Sequence, residues 1–354
     1  MDPGFRRDDD KRQAAIFSTM GCALAGLASA LAFRAARADN PRVPDDVLTL
    51  IAAAATPALD DAVAAVRARL RALGASVGKA DWLAPGRACD MPYDGLDTDQ
   101  ADAGARLLLA SEFPDLAADI VVQPSAGRRK ALLVADMEST IIENEMLDEL
   151  ADFLDLRDEV SEITRQAMNG EIDFADALTA RVGLLAGMQA ALLDEAASRI
   201  RIAPGGAALV ATMRAHGAHA ALVSGGFTVF AAPVRQALGF DVAIANELIV
   251  EDGRLTGRVR EPIVTREVKL AALKRLAAER GLALAATLAV GDGANDLPMI
   301  EAAGLGVAFR AKPAVAARAR IRIDRGDLTA LLYAQGYRDS EIVVRSSPPL
   351  AGES

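Results

Sequence analysis

The apolar positions of this chain change rhythm near residue 130. Before that point, the run Val47-Leu48-Thr49-Leu50-Ile51 reads as a strand. Leu59, Val63, Val66, Leu70 and Leu73 follow at spacings of four, three, four and three, one face of a helix that Gly74 is placed to end. Trp82-Leu83 and Ala88-Cys89-Asp90-Met91 predict two short strands on either side of Pro85-Gly86. A second helix is expected over 102–109, weakened by Gly104, and a last strand over 118–123. Pro124-Ser125-Ala126-Gly127 and the basic Arg128-Arg129-Lys130 read as a linker.

From 131 onward, buried-type strands alternate with helical stretches. Strands are expected over 131–135, 220–223, 287–290, 305–309 and 321–323, and helices over 207–216 and 268–279. Asp252-Gly253 between two apolar segments signals a hairpin. This alternation predicts an α/β fold with a mostly parallel, Rossmann-like sheet. Residues 143–200 carry helical periods only, too long for one crossover helix, and read as a helical cap inserted at the catalytic edge. The expected organisation is an N-terminal extension over 1–46, a small α+β domain over 47–126, an α/β domain over 127–340 and a flexible tail over 341–354.

Two strand ends carry the candidate chemistry. Asp136 follows the run 131–135, and Gly291-Asp292-Gly293-Ala294-Asn295-Asp296 follows the run 287–290. Strand ends are where open α/β sheets bind ligands. A carboxylate there can be a metal ligand, a general base or a nucleophile. Converging oxygens with no histidine or cysteine beside them suit a hard cation, best Mg²⁺. Ser224-Gly225-Gly226, after a third strand, can offer a hydroxyl and exposed amides to phosphate oxygens, although such a tripeptide is more often a turn. Lys269, near a helix start, can supply fixed positive charge.

In this order and on this βα pattern, residues 131 to about 335 resemble the haloacid dehalogenase superfamily, and within it the phosphoserine phosphatase family. Asp136-Met137-Glu138-Ser139-Thr140 occupies the first motif, Val223-Ser224-Gly225-Gly226-Phe227 the second, Lys269 the third and 291–296 the fourth. Glu145, Asp148-Glu149-Leu150, Met168, Phe174 and Arg181 match cap positions. The resemblance implies that Asp136 attacks phosphorus and that residue 138 is the acid and base. It implies that Mg²⁺ is held by Asp136, the backbone carbonyl of Glu138 and Asp292, with Asp296 and Asn295 in support. Ser224, Gly225, Gly226 and Lys269 would bind the phosphoryl group, Arg181 the substrate carboxylate and Glu145 its ammonium, with Met168 and Phe174 excluding water. The implied substrate is O-phospho-L-serine. Residues 47–125 are similar, more loosely, to regulatory domains of the ACT type. The turn Ala55-Thr56-Pro57-Ala58 lacks the glycine of amino-acid-binding members, so a dimerisation or packing role is expected.

The family pattern has Asp where this chain has Glu138. The extra methylene carries the carboxyl about 1.5 Å further, and a misplacement of about 1 Å can cost ~10²-fold in rate. Either the surroundings are adjusted and Glu138 serves as acid and base, or the chain is a weak phosphatase or a non-catalytic serine or phosphoserine sensor. The same chemistry on another small phosphomonoester is a further alternative.

Composition narrows the partners. The 354-residue chain has a net charge of −10, which argues against nonspecific binding to nucleic acid or anionic membranes. Cys22 and Cys89 provide neither a disulfide framework nor a metal-site spacing. Residues 14–33 carry no charge and resemble a secretory signal or a membrane anchor. A start codon at Met20 or later, or a disordered extension, fits the segment better. No membrane association is then expected, and a biosynthetic phosphatase belongs in the cytoplasm.

Overall fold

The computed structural model describes residues 44–168 and 171–344, with residues 167 and 168 known by their backbone alone. The signal-like stretch 14–33 and the end of the tail lie outside the described residues. Among the described residues, no helix is long and apolar enough to cross a membrane.

Strands β1 (Asp46–Ala52), β2 (Ser76–Val77), β3 (Asp81–Ala84), β4 (Ala88–Asp94) and β5 (Ala118–Pro124) form an antiparallel sheet. Its order is β2-β4-β1-β5, with β3 also on β4. The two-residue β2 leaves no mark in the sequence because it is too short to show a period. Helices α1 (Ala58–Ala72) and α2 (Thr98–Glu112) pack on this sheet. Helix α2 is longer than its apolar period predicts, because Asp97 caps it by accepting from the amides of Asp99 and Gln100. Gly104 does not weaken it. A Cβ there would lie 2.6 Å from Leu73 Cδ1, so the glycine lets the two helices touch.

The two-residue period of a strand divides this sheet between two cores. Leu48, Leu50 and Ala52 face α1 and α2, while Ile51 and Val121 join the larger core of the α/β unit. Polar groups fix the second face. Thr49 Oγ1 donates to Asp90 Oδ1 at 2.7 Å, and Gln123 Nε2 donates to the Ala334 carbonyl at 2.6 Å. Asp119 accepts from the amides of Asp324, Arg325 and Gly326.

The second sheet contains β6 (Leu132–Ala135), β7 (His219–Phe227), β8 (Val242–Glu251), β9 (Arg254–Arg260), β10 (Thr287–Gly291), β11 (Leu305–Phe309) and β12 (Ile321–Ile323). Its order is β12-β11-β10-β6-β7-β8-β9, parallel throughout except for the β8–β9 hairpin. After β6 the chain builds outward on one side through β7 and β8, then returns to build β10, β11 and β12 on the other. The crevice at such a reversal is the binding position of an open α/β sheet, and Asp136 and Asp292 follow the two strands that flank it.

The insert forms a cap of four helices, α3 (Met146–Asp152), α4 (Arg157–Met168), α5 (Phe174–Gly183) and α6 (Ala191–Ser198). Leu150, Val160, Leu178, Val182 and Leu193 join its interior to the main core. At the hinge, Ile142 bridges Ile202, and the Ala203 amide donates to the Ile141 carbonyl at 2.9 Å. Asn144, buried there, accepts from the Arg201 amide at 2.8 Å and donates to Glu149 Oε1 at 2.7 Å. A second attachment joins the cap to the β8–β9 hairpin. The Gly187 amide donates to the Leu255 carbonyl, the Leu255 amide to Met188, and the Ala190 amide to Gly253, at 2.8, 2.9 and 2.8 Å. The hairpin turns through Asp252 and Gly253, both with positive φ, as Asp-Gly predicts. Helices α7 (Gly206–Ala215), α8 (Thr228–Leu238), α9 (Arg266–Glu279) and α10 (Leu297–Ala302) complete the crossovers that matter for the site.

Candidate active site

Asp136 is where β6 stops. Its Oδ1 accepts from the Met137 amide at 2.8 Å and receives Lys269 Nζ at 2.8 Å, so among the described residues both donors sit on one oxygen and Oδ2 is left over. Lys269 comes from the first turn of α9, whose Ala272, Leu273, Leu276 and Ala277 are buried and turn the lysine inward. The lysine side chain is 0% exposed and also donates to Asp296 Oδ1 at 2.6 Å. Burial works to lower its pKa, but Asp136 and Asp296 outweigh it, and the ammonium is held charged above its ordinary range.

The loop after β10 folds over two glycines. A Cβ at Gly291 would lie 2.3 Å from Asp296 Cγ, and one at Gly293 would lie 2.3 Å from Asn295 Oδ1. The glycines let Asp292, Asn295 and Asp296 double back onto the strand end. Carboxylate oxygens of Asp136, Asp292 and Asp296, all three buried, lie within 4.8 Å of one another. Burial and the neighbouring Asp136 push the Asp292 carboxyl up to about 7, and the same two causes raise Asp296. Three carboxylates against one buried lysine leave an excess of negative charge. An all-oxygen donor set of this kind fits a hard divalent cation such as Mg²⁺. Lys312, half-exposed, approaches Asp292 Oδ2 to 3.9 Å from outside.

Ser224-Gly225-Gly226 is not a turn, as such tripeptides usually are. It continues β7 to Phe227. Ser224 is fully buried, and its Oγ accepts from the Gly226 amide at 2.9 Å. Asn246 holds this strand end in place by donating to the Gly225 carbonyl at 2.7 Å and accepting from the Val264 amide at 2.8 Å. Phe174 reaches down from the cap, its Cζ 3.2 Å from where a Cβ of Gly225 would be, and Asn295 Nδ2 lies 4.0 Å from the same point.

Glu138 does not join the three-aspartate cluster with its side chain. It turns toward the cap, where its Oε1 accepts from the Met146 amide at 3.0 Å. Loss of hydration, with Glu145 and Asp136 nearby, pushes its pKa up to about 8. Ser139, at φ +52°, donates to Glu145 Oε1 at 2.6 Å. Arg181 Nη1 donates to Thr164 Oγ1 at 3.3 Å, and Nε to the Ala177 carbonyl at 3.2 Å. Burial lowers the pKa of this guanidinium, opposed by Glu138, Glu145 and Asp148, the carboxylates that face it. The Met168 side chain lies outside the described residues.

The structure therefore brings Asp136, Lys269, Asp292 and Asp296 into one cluster, while Glu138, Ser139 and Glu145 gather at the start of the cap, within electrostatic reach of Arg181. Sequence reasoning missed Asn246, Lys312 and the Met146 amide. An asparagine directly after the apolar run 242–245 was the one signal available for Asn246. The other two act through loop placement and backbone, and leave no mark in the sequence.

Comparison with known proteins agrees with this geometry. The haloacid dehalogenase-like hydrolase family (HAD) matches residues 133–301. Phosphoserine phosphatase of Streptomyces coelicolor is 40% identical over 298 residues, covering 83% of this chain and 72% of that protein. Phosphoserine phosphatase of Lactococcus lactis subsp. lactis is 43% identical over 213 residues, covering 60% of this chain and 99% of that protein. A phosphoserine phosphatase solved in complex with substrate superimposes with a TM-score of 0.55 at 38% identity, covering 58% of this chain and 98% of that one.

Proposed function

This chain belongs to the phosphoserine phosphatase family of haloacid dehalogenase-like hydrolases, and we propose that it hydrolyses O-phospho-L-serine to L-serine and phosphate through an aspartyl phosphate on Asp136. The observation that carries this reading is the pairing of two unlike clusters under one cap. One is a lysine-bound nucleophile with two further aspartates, and the other is Glu145 at the start of the cap with Arg181 of α5 in its electrostatic reach. The first suits a phosphoryl group and the second an amino-acid head group.

Asp136 Oδ2 attacks phosphorus, and the bond from phosphorus to the serine oxygen breaks. Glu138, as the carboxylic acid, gives its proton to that departing oxygen. As the carboxylate, it then takes a proton from the water that attacks phosphorus. The bond to Asp136 breaks, phosphate leaves, and Glu138 is protonated again. Lys269 and Ser224, with the amides of Gly225 and Gly226, hold phosphoryl oxygens as charge builds on them. Arg181 pairs with the substrate carboxylate, for which its planar fork is suited, and Glu145 takes the ammonium. Phe174 closes over Gly225 and excludes water, with Met168 in the same role.

Asp136, Asp292 and Asp296, the backbone carbonyl of Glu138, and Asn295 in support are the groups that would hold Mg²⁺. When bound, the ion supplies the positive charge that lets a carboxylate approach a phosphate anion. We assign residues 47–126 a packing or dimerisation role of the ACT-like kind, and burial of their sheet on both faces supports packing. Such chemistry belongs in the cytoplasm, and N-terminal sequencing of the native protein tests whether residues 14–33 persist.

The deciding experiment is phosphate release from O-phospho-L-serine with and without Mg²⁺, beside substrates lacking the carboxylate. Turnover that favours phosphoserine and disappears in Asp136→Asn supports the reading. Equal turnover of the simpler esters overturns the substrate, and binding without release overturns the enzyme in favour of a sensor.

A further inference from the structure

Glu138 is longer by one methylene than the residue its family places there, and the structure contains the space for it. A Cβ at position 226 would lie 2.7 Å from Glu138 Oε2, 2.8 Å from Cδ and 2.9 Å from Oε1. Real Cβ atoms do not approach other atoms so closely, so no side chain at 226 coexists with Glu138 as it stands. Gly226 is in extended backbone and outside the left-handed region, so its conformation does not call for glycine. The Glu138 carboxyl group occupies the place that a Cβ at 226 would take. Among the described residues, its Oε1 accepts from the amide of Met146, the first residue of cap helix α3, at 3.0 Å.

We propose that Gly226 is a positioning residue for Glu138: the missing side chain at 226 and the Met146 amide together seat a glutamate where the acid and base of the reaction must stand. This inference rests on the phosphatase reading above. It makes Glu138 a fitted residue rather than a lesion. Because the Met146 amide belongs to the cap, it also links the seating of the acid to the cap being in place.

The atoms that a Cβ at 226 would meet are the end of a flexible side chain, not backbone. Gly226→Ala therefore leaves the fold intact and displaces the carboxyl group. The test is a two-by-two set of variants: wild type, Gly226→Ala, Glu138→Asp, and the double variant. Gly226→Ala is expected to lower kcat about 10²-fold with KM little changed, the effect of moving a reacting group by ~1 Å. Glu138→Asp withdraws the carboxyl about 1.5 Å from the Met146 amide and lowers kcat on its own. The double variant is expected to match Glu138→Asp, because a shorter acid no longer meets the new methyl group. A merely structural role for Gly226 predicts no such rescue. If Gly226→Ala is harmless in the wild-type background, or as damaging in the Glu138→Asp background as in the wild type, the proposal is overturned.

Running the set on both O-phospho-L-serine and p-nitrophenyl phosphate separates the two claims. Turnover of the second ester alone would remove the substrate reading and leave the positioning pattern readable. Hydrogen exchange at the Met146 amide decides without turnover. Protection in the wild type that is lost in Gly226→Ala supports the proposal, and unchanged protection overturns it.

Discussion

Lys269 Nζ stands 2.8 Å from Asp136 Oδ1 with none of its side chain exposed, so this carboxylate is held by a cation that water does not reach. Removing that ammonium leaves three buried carboxylates together. Lys269→Ala is expected to lower kcat by about 10²–10³-fold, the usual loss of a charge donor aimed at developing charge. Lys269→Arg should restore little, because a planar guanidinium does not fit a fully enclosed point-charge site. Steady-state phosphate release measures both.

Arg181 separates substrate choice from chemistry. Arg181→Ala is expected to raise KM for O-phospho-L-serine while leaving the turnover of p-nitrophenyl phosphate nearly unchanged. A hydrogen bond to a charged group contributes ~1.5–3 kcal/mol, so the shift should be at least tenfold. An equal loss on both esters would place Arg181 in the fold rather than in recognition.

Asn246 is the buried tie between the end of β7 at Gly225 and the segment before α9. Asn246→Ala leaves the Gly225 carbonyl and the Val264 amide without it. About 1–3 kcal/mol of stability should be lost, together with part of kcat. Urea unfolding beside the activity assay reads both effects.

Metal binding should appear in stability as well as rate. Mg²⁺ held only by the folded chain raises the melting temperature as its concentration rises above its dissociation constant. Asp292→Asn should remove most of that rise while the Mg²⁺-free melting temperature stays the same or increases, since one repelling carboxylate is gone. A chelator should abolish wild-type turnover, and added Mg²⁺ should restore it.

Acid should weaken the fold at a point far from the site. His219 Nδ1 lies 3.1 Å from Asp241 Oδ2, with Arg280 on its other ring nitrogen at 2.6 Å and Arg214 on Asp241 at 2.8 Å. Burial first, and the two arginines, lower the His219 pKa against the pull of Asp241 and Glu279. The unfolded chain therefore takes up this proton first. The stability from His219 is fully present above about 6.5, its ordinary value, and is lost as pH falls toward the lowered value. Asp241 follows at lower pH. Burial works to raise its carboxyl, but the Ala220 amide, His219 and Arg214 hold it below its ordinary range, so its contribution is lost only in stronger acid. Melting curves from pH 7 to 5 should show a decline that His219→Gln flattens.

Much of this was legible in the sequence because the central strands are short apolar runs ended by acids. Those of 131–135 and 287–290 could be placed, and their aspartates fell together at the reversal of strand order as open α/β sheets require. Lys269, a lone lysine near a helix start, took its place from the family's third motif. The resemblance to the family carried Arg181 and Phe174, since a single arginine or phenylalanine on a helix has no signature of its own. What did not show was anything that depends on a distant backbone group. The Met146 amide is eight residues from Glu138 in sequence, yet reaches it only because the chain doubles back at the hinge. The space at Gly226 had the same hidden quality, because a glycine beside phosphate is expected in any case.

The cap is tied to the body at two places, the Ile142–Ile202 hinge and the bonds from 187–190 to the β8–β9 hairpin. Its interior also shares the main core through Leu150, Val160, Leu178, Val182 and Leu193. If the cap rolls to admit substrate or release serine, α3 moves with it, and so does the Met146 amide that meets Glu138. Opening of the cap would then loosen the seat of the Glu138 carboxyl, and closure would restore it, so the order of this one side chain is coupled to the cap.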